Sequence, residues 1–189
     1  MALSISTFGE GWNEGIARVN EINGVLAMER PDVLFDVAAT VGESKVEQFE
    51  SARPLHRLRG FALYCEREGR APTVDEATAS YPLLEQLYDG KIGTDWYPHL
   101  IDHSDEDGYY VPADFPKPVN AFYDGEVVSI ASAHRLLAEL NSIQRFLTPA
   151  VADSADAFAL EHRAFNALRD LAKEAVERNL VVGFRTTEL

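Results

Sequence analysis

Residues 99–132, HLIDHSDEDGYYVPADFPKPVNAFYDGEVVSIAS, are the stretch on which the fold turns. Proline, glycine, aspartate and tyrosine crowd it, so no helical or alternating period runs through it. Its reading is irregular backbone with a helical turn after Pro98 and one or two short strands, near Tyr109–Val111 and Val127–Ile130. The whole irregular acidic and aromatic segment spans 90–128. A loop that long is uncommon inside one domain, so it should be ordered and carry function.

Working outward, helical spacing dominates. Phe8, Trp12, Ile16 and Val19 recur at the period of an amphipathic helix over 7–23. Val33, Leu34, Val37, Ala38 and Val41 favour a second helix. Ser44-Lys-Val-Glu47 and Thr73-Val-Asp-Glu76 have the capping-box pattern, in which a hydroxyl and a carboxylate satisfy orphan backbone N–H groups reciprocally. Pro54 restarts the first of these helices, which carries Leu55, Leu58, Phe61, Ala62 and Cys65 to a stop at Gly69. Pro82 breaks the second. Ser132 caps a helix with Leu136, Leu140 and Ile143 on its apolar face. Asp153 or Ser154 caps the longest one, to about Asn179. Leu180–Phe184 reads as an edge strand or a docked tail. The expected fold is mainly α: residues 1–189 as a single compact helical domain of five to seven helices, with a long ordered loop and minor β.

The chain's 189 residues are 46% hydrophobic and 25% charged, which suits one folded domain rather than disorder. One cysteine, Cys65, allows no internal disulfide and fits a reducing compartment. The first residues lack the basic and apolar regions of a secretory signal, and no apolar run approaches a bilayer span. A cytoplasmic protein without membrane contact is expected.

The net charge is −14. Phosphates are repelled by such a chain, so nucleic acid is not expected as a partner, whereas a basic protein fits. The acids concentrate in residues 71–134, which hold the opening stretch. Arg53, Arg57, Arg59, Arg67 and Arg70 form the one basic segment, a solvated face that pairs with the acidic middle or joins copies in a homo-oligomer.

Three chemistries compete for the opening stretch. His99-Leu-Ile-Asp-His103 puts two imidazoles four residues apart, on one face if helical, in an order similar to the H-x-x-E-H zinc motif. That reading gives a metal-dependent hydrolase, but Asp102 is one methylene short as general base and no third ligand is visible. In EF-hand register His103, Asp105, Asp107, Gly108 and Asp114 take positions 1, 3, 5, 6 and 12, with Pro112 and Pro116 blocking the exit helix. A divalent cation at His99, His103, Asp105, Asp107 or Asp114 is therefore the metal candidate, and no cofactor is expected. Third, Asp102, Asp105, Glu106, Asp107, Tyr109 and Tyr110 make an acidic, aromatic contact surface. No nucleophile motif or nucleotide-binding glycine pattern occurs, so no catalytic residue is assigned.

The strings HSDEDGYYVP and VVSIASAHRLLAELNSI resemble a pattern of small uncharacterised bacterial proteins, in which an H-S-D-x-x-G-Y-Y-x-P segment precedes a serine-capped L-L-x-E-L helix. The resemblance implies a bacterial cytosolic origin and joint packing of loop and helix. It carries no activity. The function expected from the residues is that of an acidic binding protein, of inhibitor or immunity type, that uses 99–118; a hydrolase centred on His99 and His103, or a self-associating subunit, are the alternatives.

Overall fold

The computed structural model describes residues 2–8, 15–33, 35, 45–78, 81–104, 108–123 and 125–187. Its centre is a mixed six-stranded sheet in the order β2-β1-β6-β3-β5-β4. The strands are β1 (Ala2–Phe8), β2 (Val46–Phe49), β3 (Gly108–Val111), β4 (Val119–Tyr123), β5 (Glu126–Ser132) and β6 (Val181–Thr187). β1 runs antiparallel to β2 and β6, β6 antiparallel to β3, β3 parallel to β5, and β5 antiparallel to β4.

Helices cover both faces. Alternate strand residues point to opposite sides. Leu3, Ile5, Tyr110, Ala131, Val182 and Phe184 meet α2 (Arg53–Glu68), α6 (Ala133–Asp153) and α7 (Ala159–Arg178). Phe8, Tyr109, Val111, Val119, Ala121, Val128, Ile130 and Val181 meet α1 (Gly15–Glu29). Three short helices, α3 (Val74–Thr78), α4 (Pro82–Tyr88) and α5 (Pro98–Ile101), follow α2.

The expected single helical domain with minor β is therefore corrected to an α+β fold. The physical reason lies in burial on both faces. Strands covered on each side read as apolar runs without alternation, which short helices also give. Phe8 ends β1 instead of opening a helix. Val46–Phe49 pairs with β1 at the edge of the sheet, so Val46 and Glu47, expected at a helix start, lie in a strand. β6 sits between β1 and β3 and is no edge. Ser154 closes α6 rather than opening α7. The expected helix over 33–41 and Trp12 fall largely outside the described residues.

Other punctuation held. Pro54 lies in the first turn of α2, and Gly69 ends it at φ 67°, the left-handed conformation that glycine adopts without strain. Glu76 accepts from Thr73 N at 2.7 Å while Thr73 Oγ1 accepts from Glu76 N at 3.4 Å, a closed capping box. Ser132 Oγ accepts from Arg135 N at 3.2 Å and opens α6. Ser132→Ala should cost about 1 kcal/mol, read from urea unfolding midpoints, because the cap is lost without any change in packing volume.

Candidate functional site

The described acids of the chain's middle lie on α4, at its end, in the loop before α5 and at the end of α5. Residues 85–107 contain Glu85, Asp89, Asp95, Asp102, Asp105, Glu106 and Asp107 against one basic residue, Lys91, so the segment keeps a strong negative field even though Lys91 pairs with Asp89 at 2.7 Å. Glu85, Asp89, Asp95 and Asp102 are exposed; Asp105, Glu106 and Asp107 lie outside the described residues.

The described part of the segment is tied to the rest of the fold at 93–95 and at 99–104. Glu66, near the end of α2, accepts from Thr94 Oγ1 at 2.6 Å and Asp95 N at 2.8 Å, and Arg67 donates to Gly93 O at 2.7 Å. The N-terminus of α5 rests on Glu139 of α6, whose carboxylate accepts from His99 N at 3.0 Å and Leu100 N at 2.8 Å. Burial lifts Glu139 to a pKa of about 8, against the pull of these two N–H donors. Past α5, the buried Arg59 donates to Leu100 O and His103 O, the carbonyls on either side of Asp102. Asn120 of β4 reaches Asp102 O at 3.3 Å, and Ser104 N donates to Ser129 Oγ at 3.1 Å.

Asp102 thus stands at the lip of a cleft of about 430 Å³ whose walls include Arg59, Tyr88, His103, Ser104 and Asn120. Partial desolvation at this lip raises the Asp102 pKa, and Arg59 draws it back down. The site offers fixed backbone and displayed carboxylates, which suits recognition of a cationic surface.

The histidines turn inward. His99 Nδ1 accepts from Ser132 N at 3.0 Å, so the ring orients the start of α6. His103 stacks on Tyr110 with centroids 4.2 Å apart and sets Nε2 at 3.3 Å from Tyr109 O. Gly108 is required by this packing: a Cβ there would stand 2.6 Å from the His103 ring. Burial lowers His99 to about 4 and His103 to about 3, so both rings are neutral near neutral pH.

The metal candidates that the structure describes make other contacts. Asp114 pairs with Arg135 on the surface at 2.5 Å, and Gly108 is a strand residue rather than the turn of an EF-hand. Among the described residues, no group of three or more His, Cys, Asp or Glu side chains could hold a metal ion. Asp105 and Asp107, the other two candidates, lie outside them.

The tyrosines are also corrected as surface contacts. They do point to opposite faces of β3, but each face is covered. Tyr110 is fully buried and donates to His99 O at 2.9 Å. Tyr109 packs edge-on against Phe8, and its hydroxyl accepts from Arg18 at 3.0 Å. Burial pushes its pKa up to about 12. Of the contact residues expected from sequence, Asp102 is the one that the structure describes as exposed.

The arginine segment divides. Arg59 is buried at α5, and Arg57 meets the buried Glu161 at 2.6 Å, so neither belongs to a solvated face. Arg59 and Glu139 were the positioning residues missed. Their signal was present: each sits inside an apolar stripe, Arg59 among Leu55, Leu58 and Ala62, and Glu139 among Leu136, Leu140 and Ile143.

Among the described residues, no helix is long and apolar enough to cross a membrane. No curated protein and no solved structure matches the chain. A family model described as "Putative DNA-mimic protein" matches residues 10–184. The match overturns the expected partners, a basic protein and no nucleic acid. A DNA-mimic family points to proteins that bind DNA.

Proposed function

The chain belongs to the family described as "Putative DNA-mimic protein", and from that premise we propose that it occupies the DNA-binding surface of a partner protein, with carboxylates standing where phosphates would. The observation that carries this reading is the anchored acidic segment. Seven carboxylates against one lysine over 85–107 supply the field, and Glu139, Arg59, Glu66 and Asn120 hold the backbone around Asp95 and Asp102. Rigid presentation matters because charge on a mobile loop must be ordered on binding, which costs affinity. A net charge of −14 repels DNA itself while attracting the cationic surfaces that DNA occupies, which steers association.

Asp102, Asp105, Glu106 and Asp107 are proposed as the contact acids within 99–118. The test is competition. A helix-turn-helix repressor, a zinc-finger protein and a minor-groove DNA-bending protein are each bound to fluorescein-labelled duplex, and the chain is added. Release of DNA, read as falling anisotropy and weakened by salt, is the expected result for at least one class. The combined variant D105N, E106Q and D107N should slow association about tenfold at low salt and flatten the salt dependence. DNA left bound across the panel at every concentration of the chain rejects the reading.

A further inference from the structure

The sheet carries an apolar ledge beside the cleft that Asp102 lines. In the β4–β5 hairpin Phe122 stands opposite Val127, and Asn120 opposite Ser129. Side chains two residues apart share a face. Phe122, Val127, Asn120 and Ser129 therefore lie on the side of the sheet that α2, α6 and α7 cover further along, where Ala131 is in the core. The helices stop short of the hairpin end. Phe122 is 73% exposed and Val127 64%.

Scattered apolar residues on a surface need no explanation, but two directly opposite each other make a continuous patch. Its position is what gives it meaning. Asn120 walls the cleft and bonds Asp102 O, and Ser129 holds Ser104. Phe122 and Val127 lie one strand repeat further on, about 7 Å away. Asp102, exposed, lies beyond Asn120, so the ledge has a carboxylate on that side, an apolar contact flanked by charge.

We propose that Phe122 and Val127 are the apolar anchor of the docking surface, seated against the cationic DNA-binding face of the partner while Asp102 and its neighbours meet the partner's basic side chains. This rests on the DNA-mimic reading above. Charge complementarity selects the occupant: an apolar ledge beside Asp102, on a chain of net charge −14, repels an acidic or phosphate-bearing partner and accepts a cationic one. The anchor also gives the complex what carboxylates alone do not supply. Ion pairs weaken as salt rises, whereas burial of an aromatic ring is insensitive to moderate salt.

The experiment uses the DNA-binding protein released in the competition assay, with poly-lysine as a probe of charge attraction alone. The double variant F122S and V127S should raise the dissociation constant about tenfold at both low and moderate salt, leave the salt slope unchanged and leave poly-lysine binding unchanged. The variant F122L and V127I keeps an apolar ledge and should bind within about twofold of the native chain. Thermal melting of all three proteins establishes that each is folded. A serine variant that releases DNA as well as the native chain overturns the anchor while the DNA-mimic reading stands. Equal loss in both variants also overturns it, since the ledge is then not read by its apolar character. A native chain that releases no DNA removes both.

Discussion

Replacing Arg59 by methionine is expected to lower the free energy of unfolding by about 2–4 kcal/mol, because two buried carbonyls lose their charged donor and methionine offers none. The affected carbonyls, those of Leu100 and His103, bracket Asp102. The change therefore acts twice. Urea unfolding should show the loss of stability, and the competition assay, run where the variant is still folded, should show weaker binding because Asp102 is no longer held. Hydrogen exchange gives the local reading: amides 101–104 should open faster than those of α7. Lysine at 59 is the informative contrast, since it keeps the charge but not the planar fork that reaches two acceptors at once. It should recover part of the stability and little of the positioning. An Arg59→Met protein as stable as the native one would show that the clamp contributes nothing.

The second large effect is a stability maximum near pH 6.5, set by three buried groups. His99 falls from 6.5 to about 4 on folding, and His103 from 6.5 to about 3. The unfolded chain then binds more protons below 6.5, so stability is lost as pH falls from 6.5 towards these values. Glu139 rises from 4.5 to about 8. For it the folded chain binds the proton more tightly, so stability is lost as pH rises from 4.5 to 8. Each group contributes about 1.4 kcal/mol per pH unit within its own window. Between 4.5 and 6.5 two histidines oppose one glutamate and stability climbs by about 1.4 kcal/mol per unit; between 6.5 and 8 Glu139 acts alone and it falls by about the same. Urea midpoints across pH 4.5–8.5 give the curve. Glu139→Gln should remove the alkaline fall, and His103→Phe should remove about half of the histidine contribution to the acid limb. Stability still rising at pH 8 would contradict the burial of Glu139.

Local signals in the sequence were read correctly where the physics is local. Proline at 54 and 82, glycine at 69, the hydroxyls of Thr73 and Ser132, and the helical turn after Pro98 each act within a few residues, and each appears where chain chemistry places it. The sheet was not legible because its pairings are remote. β1 finds β6, and nothing in Ala2–Phe8 records that Val181–Thr187 will lie beside it. The site divides in the same way. Its acidity was plain from residues 85–107, but the direction of each side chain was not. His99 and His103 look like ligands until Ser132, Tyr110 and Tyr109 claim them, and Tyr109 and Tyr110 look like surface until both faces of β3 prove to be covered. Arg59 and Glu139, which hold the display, looked like ordinary helix charges because their acceptors and donors lie roughly forty residues away.

The place of β6 bears on how the protein is made. Among the described residues it is the last strand in chain order, yet it lies between β1 and β3 and joins β2-β1 to β3-β5-β4. Until that strand has emerged from the ribosome, a nascent chain holds two separate strand groups, each with an unpaired edge. Pairings of such long sequence separation form slowly. The half-sheets are then expected to be the aggregation-prone species, and the acidic residues between β2 and β3 to favour solubility until β6 closes the gap.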